Sequence, residues 1–182
     1  VVVPATARDA TGLIKASIRD DHPVIFFEHK LLSRRVKEEV PEEDYVVPLG
    51  QARIARQGTD ITVITYGAMV WTALEAAEQL EKEGLSLEVV DLRTLLPYDE
   101  QAVLASVRKC NKVMLVHEDT RTGGMAGELA ALISSEAFED LDGPIVRVTS
   151  PDTPVPFSPP LEDFFLPNAQ KVAEAARKLA AY

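Results

Sequence analysis

The feature that most limits what this chain can fold into is an alternation that begins after residue 51. An uninterrupted apolar run is followed each time by a stretch whose apolar residues recur every three or four positions. The runs are Ile61-Thr62-Val63-Ile64-Thr65-Tyr66, Leu87-Glu88-Val89-Val90, Lys112-Val113-Met114-Leu115-Val116 and Ile145-Val146-Arg147-Val148. The helical faces are Val70, Leu74, Ala77 and Leu80; Val103 and Val107; Met125, Leu129, Leu132 and Ile133; and, after the last run, Val172, Ala176 and Leu179. A strand covered on one face alternates apolar with polar residues, whereas a strand covered on both faces is apolar throughout. Repetition of such strands with helices predicts α/β architecture: a mostly parallel sheet between two helical layers, a three-layer α/β/α domain over about 51–182. Ligands of open sheets gather at the C-terminal strand ends. Those ends are Tyr66-Gly67-Ala68, Asp91-Leu92-Arg93-Thr94, His117 through Gly127, and Thr149 through Pro160.

The first 28 residues read as a separate strand-helix-strand unit. Val1-Val2-Val3 is a short buried-strand pattern, Thr6 and Asp9 have the spacing of a capping box, and Leu13, Ile14 and Ile18 share a helical face. A helix over about Ala7–Arg19 follows from this, and Asp20-Asp21-His22-Pro23 ends it, since proline disfavours helical geometry in the residue before it. Val24-Ile25-Phe26-Phe27 is the second strand candidate. Residues 30–50 are mixed in charge, carry Pro41 and Pro48 and lack periodicity, which predicts a linker crossing a surface.

Composition excludes several classes of function. The 182 residues are 46% hydrophobic, enough for one ordinary core and an appendage. A formal net charge of −10 repels phosphates, which argues against nonspecific binding to nucleic acid or anionic lipid and favours a basic partner. Cys110 is the only cysteine, suits a reducing compartment and sits in no metal-ligand spacing. No run approaches the roughly 18 apolar residues of a membrane span, and no targeting pattern is visible. Composition thus predicts a soluble protein of a reducing compartment.

Three loops carry residues with chemical potential. His117-Glu118-Asp119 follows a strand run, but neighbours on an extended strand alternate faces, so direct acid–base chemistry competes with loop anchoring or a subunit contact. Gly123-Gly124-Met125-Ala126-Gly127 opens a helix. Its amides can cradle an anion, or the glycines can simply permit a tight turn. Arg93 can clamp a carboxylate or phosphate, or pair internally with Asp91 or a loop carbonyl, and Asp99 is placed to cap the following helix. No nucleophile with a nearby base and no metal spacing stands out. A free-standing α/β ligand- or nucleotide-binding module built on Gly123-Gly124 therefore stays open as an alternative.

The ordered motifs narrow this further. Pro23-x-Ile25-Phe26-Phe27-Glu28-x-Lys30, Pro48-Leu49-Gly50-x-Ala52, Gly58-x-Asp60-Ile61-Thr62, Asp91-Leu92-Arg93-Thr94-Leu95-x-Pro97-x-Asp99, Gly123-Gly124 and Asp152-Thr153-Pro154-x-Pro156 span nearly the whole chain. Together they resemble the beta subunit of the decarboxylating component of pyruvate and branched-chain 2-oxo acid dehydrogenases. The resemblance implies that residues 1–32 are the tail of a pyrimidine-binding domain, 33–50 a linker, and 51–182 a transketolase-type C-terminal domain. It also implies thiamin diphosphate and magnesium in a two-alpha, two-beta heterotetramer. The partners would be the alpha subunit, a second beta subunit and the subunit-binding domain of the dihydrolipoyl acyltransferase. The family's catalytic and cofactor-contacting side chains lie outside the motifs present, so none is assigned here and the chain alone is expected to be inactive. Two site assignments follow by resemblance: a potassium ion held through backbone carbonyls at Ser17, Asp20 and His22, and acyltransferase docking at Asp142 and Tyr182.

Overall fold

The computed structural model describes residues 1–182. Helix α1 (Ala7–Arg19) and a single turn, α2 (Leu32–Arg35), precede the sheet. The remaining elements are β1 (Arg53–Arg56), β2 (Ile61–Thr65), α3 (Ala68–Glu81), β3 (Leu87–Asp91), α4 (Glu100–Cys110), β4 (Val113–Thr120), α5 (Met125–Glu136), β5 (Val146–Ser150), α6 (Pro159–Phe165) and α7 (Ala169–Ala180). The sheet order is β1-β3-β2-β4-β5, with β1 antiparallel to β3 and the other neighbours parallel. The predicted three-layer, mostly parallel architecture is what forms.

The apolar runs are buried because helices cover both sheet faces. Val63, Val89, Met114 and Val116 pack against α3 and α7, while Ile64, Val90, Val113 and Leu115 pack against α4 and α5. That partition is the two-residue period of a strand read on both faces. Glu88 interrupts its run and is 2% exposed, yet its charge is answered from α4: Ser106 donates to it at 2.6 Å and Lys109 ion-pairs with it.

Helix α1 forms over the predicted span, and the Thr6 hydroxyl accepts from the Asp9 amide at 3.1 Å. The two strands expected around it shrink to one residue of pairing each, because Val2 bridges Phe26 on one side and Thr94 on the other. The opening segment is thereby tied both to residues 25–27 and to the loop after β3. Residues 36–50 have little regular structure but do not simply cross a surface: Val47 is buried against Val2 and Leu13, and Tyr45 donates to the Arg8 carbonyl at 2.8 Å. Strand β1 and helix α6 are absent from the sequence-based reading.

Candidate functional site

Side chains collect at the C-terminal strand ends in two groups. The first surrounds the end of β3, where Arg93 holds a left-handed backbone (φ 57°) and is 9% exposed. Its guanidinium donates to Asp9 at 3.0 Å and to the carbonyls of Gln51 and Ala52 at 3.0 and 3.2 Å, and its amide donates to Asp91 at 3.1 Å. Arg53 completes the group, 3.3 Å from Asp9 and 3.1 Å from Asp91. The internal pairing expected of Arg93 is present, but its side-chain carboxylate is Asp9 of α1; Asp91 takes Arg53 instead. Burial pushes the Asp91 carboxyl up to about 6 against the pull of Arg53. This cluster fastens α1 to the sheet and engages all three nitrogens of the Arg93 guanidinium.

The second group lies between the ends of β2 and β4. His117 is 1% exposed and stacks on Tyr66 with ring centroids 6.2 Å apart. Neither of its ring nitrogens has a hydrogen-bond partner, so no hydroxyl or thiol nucleophile is activated there. Burial lowers the His117 pKa, opposed by Asp119, and keeps the ring neutral at pH 7. Burial, followed by the charges of Asp119 and Glu118, pushes the Tyr66 phenol up to about 12. Along β4 the three consecutive polar residues separate as strand geometry requires: His117 goes inward, and Glu118 turns to His29 at 3.3 Å. Asp119 is exposed and accepts from the Thr120 amide at 2.7 Å.

The glycine turn has a specific reason here. A Cβ on Gly124 would lie 2.4 Å from Cε1 of His117, so only glycine lets α5 start over that ring, and φ of 78° suits Gly123. Asp152 ties the β5 loop to the same turn by accepting from the amide and hydroxyl of Thr122, both at 2.8 Å. Tyr66, from the strand-end loop Tyr66-Gly67-Ala68, borders this region, as does Arg147, which was not singled out from sequence. An arginine inside the last apolar run was the available signal for the latter.

At the turn ending α1, Asp20 accepts from the His22 amide at 2.8 Å, and Ser17 donates back to the Leu13 carbonyl at 2.7 Å. Asp142 is exposed, and its amide donates to the Asn111 carbonyl at 2.8 Å. The next residue brings it close to the other docking candidate, since a Cβ on Gly143 would lie 3.3 Å from Cβ of Tyr182. No three His, Cys, Asp or Glu side chains converge on a metal-sized point.

Comparison with known proteins adds the following. Residues 50–172 match the family model for the transketolase C-terminal domain. The chain is 51% identical, over 100% of its length and 56% of the relative's, to the 2-oxoisovalerate dehydrogenase subunit beta of Bacillus subtilis. To the pyruvate dehydrogenase E1 component subunit beta of that organism it is 48% identical, over 98% of this chain and 55% of the relative. A solved split-gene transketolase, described as an inactive beta4 tetramer, superposes with a TM-score of 0.81 at 28% identity, covering 99% of this chain and 56% of that one. The chain thus spans about half the length of the curated relatives it matches.

Proposed function

The chain belongs to the transketolase C-terminal domain family, and on that premise we propose that it is part of the beta subunit of a thiamin-diphosphate-dependent 2-oxo acid dehydrogenase. The observation that carries this reading is that similarity to such beta subunits extends over the whole chain, including residues 1–49 outside the family model. Thiamin diphosphate supplies the electron sink for decarboxylating a 2-oxo acid, and the proteins around it supply position. In this reading the magnesium that accompanies the cofactor is held by the alpha subunit.

The work of this chain is assembly with an alpha subunit and a second beta subunit, and docking of the acyltransferase. Residues 1–32, in this reading, end a pyrimidine-binding domain, 33–50 link it, and 51–182 form the docking domain. The setting is the cytoplasm or the mitochondrial matrix, and no helix is long and apolar enough to cross a membrane. A net charge of −10 suits a basic subunit-binding domain. Asp142 and Tyr182 support its docking, being exposed and adjacent through Gly143. Exposed ion pairs contribute only about 0.2–1 kcal/mol each, so docking needs the two acting together. Asp142→Ala combined with removal of Tyr182 is expected to weaken binding of the subunit-binding domain to the assembled heterotetramer and to flatten its salt dependence. Calorimetry at two ionic strengths measures both, and unchanged affinity with an unchanged salt slope removes these residues from the docking surface.

A further inference from the structure

The chain between α5 and β5 holds an aromatic ring in water. A 3₁₀ turn over Phe138–Asp140 follows α5, and its flanks are fixed: Ala137 is buried, and Leu141 packs on the core beneath α4 and α5. Phe138, between those two, is 70% exposed. A single exposed apolar side chain is ordinary on a protein surface. Phe138 is not alone, because it lines a groove of about 650 Å³ with Leu141, Pro144, Ile145 and, from α5, Ala130 and Ser134. Small residues on the helix and apolar ones on the turn leave this groove open and poorly hydrated.

The charges around the groove select the sign of what can fill it. From Gly123 to Val146 the chain carries Glu128, Glu136, Glu139, Asp140 and Asp142 and no lysine or arginine. Of these five only Asp140 forms an ion pair, with Arg108 at 3.2 Å. Lys112 is engaged by the Ala180 carbonyl at 3.2 Å. Gly143 also lines the groove, and a Cβ there would lie 3.3 Å from Cβ of Tyr182, which is 75% exposed. The groove is therefore continuous with Asp142 and Tyr182. A second copy of this face would set carboxylates against carboxylates, whereas a basic partner meets complementary charge.

Resting on the docking reading above, we propose that this groove is the apolar anchor of the docking surface and takes up an aliphatic or aromatic side chain of the basic subunit-binding domain against the Phe138 ring. Exposed ion pairs each contribute little, whereas one buried aromatic contact inside a polar rim carries a large share of an interface. The subunit-binding domain is titrated into the assembled heterotetramer by calorimetry at two ionic strengths and two temperatures. Phe138→Ser is expected to weaken binding roughly ten- to a hundredfold, the effect of no longer burying one phenylalanine side chain. The factor is the same at both ionic strengths, because salt does not screen apolar burial, and the heat-capacity change on binding becomes less negative. Ser134→Trp, on the exposed face of α5, fills the groove and also weakens binding, while Phe138→Leu retains most of the affinity. Wild-type affinity in Phe138→Ser or in Ser134→Trp, with Asp142→Ala lacking Tyr182 still weakened, overturns the anchor and leaves the docking reading standing. Absence of binding by the wild-type heterotetramer overturns both. Dissociation of the heterotetramer in Phe138→Ser makes the groove a subunit interface and overturns the proposal as well.

Discussion

A methyl group on Gly58 would sit 2.1 Å from the carbonyl carbon of Leu87 and 2.2 Å from the amide nitrogen of Glu88. Both are backbone atoms of a fully buried strand, so neither can move aside as a flexible side chain would. Asp60, two residues on, fixes the same contact from the other direction by accepting from the Ser86 amide at 2.7 Å. The Gly58-x-Asp60 spacing was legible as a motif, but its cause, a loop pressed against the start of β3, was not. Gly58→Ala is expected to destabilise the protein by about 2–4 kcal/mol, the range of severe overpacking, with the loss read as a lower urea midpoint. A midpoint within error of wild type would mean that the loop yields. Gly127, with open space around it, shows that a glycine in the sequence does not by itself signal such a constraint.

Elements were legible where local signals agreed with tertiary ones. Asp99 caps α4 by accepting from the Ala102 amide, and its other oxygen accepts from the Ala52 amide, both at 3.0 Å. Strand β1 was missed because Arg53-Ile54-Ala55-Arg56 has only weak alternation; it is held by pairing with β3 and by the Arg53–Asp91 ion pair. Helix α6 begins with Pro159-Pro160 inside what read as a loop, and proline in a first helical turn is a start signal that was available. The turn that ends α1 bears the proposed potassium assignment. With the Asp20 carboxylate engaged by His22, any cation there relies on backbone carbonyls, and these are indifferent to side-chain type. A bound ion stabilises only the folded state, so the full-length subunit is expected to melt at a higher temperature in potassium chloride than in sodium chloride of equal strength. Equal melting temperatures would withdraw Ser17, Asp20 and His22 as a cation site.

At the scale of the whole molecule, the buried Asp9–Arg53–Asp91–Arg93 cluster joins the opening segment to the sheet, and it makes stability depend on pH. Asp91 has a folded pKa of about 6 against an ordinary value of 3.8, so the folded protein holds the extra proton between those limits. Its contribution to stability is therefore fully present below about 3.8 and is lost as pH rises through 6, a change of about 3 kcal/mol. Asp91→Asn removes that titration, so the variant gains on wild type as pH rises from 4 to 7. Urea unfolding of both proteins across that range measures the difference, and a pH-independent difference would refute the shift.

The sequence by itself determined the parts that depend on short-range pattern. The parallel strands, the helices covering them and the Thr6 and Asp99 caps follow from period, propensity and capping chemistry, each of which acts within a few residues. The ordered motifs likewise carried the family resemblance. Only the tertiary structure decided which distant groups meet. Asp9 reaches Arg93 across 84 positions, Val2 pairs with Thr94, and His117 lies without a partner beneath Gly124. Those pairings depend on how the layers stack around the sheet, and no local periodicity encodes them.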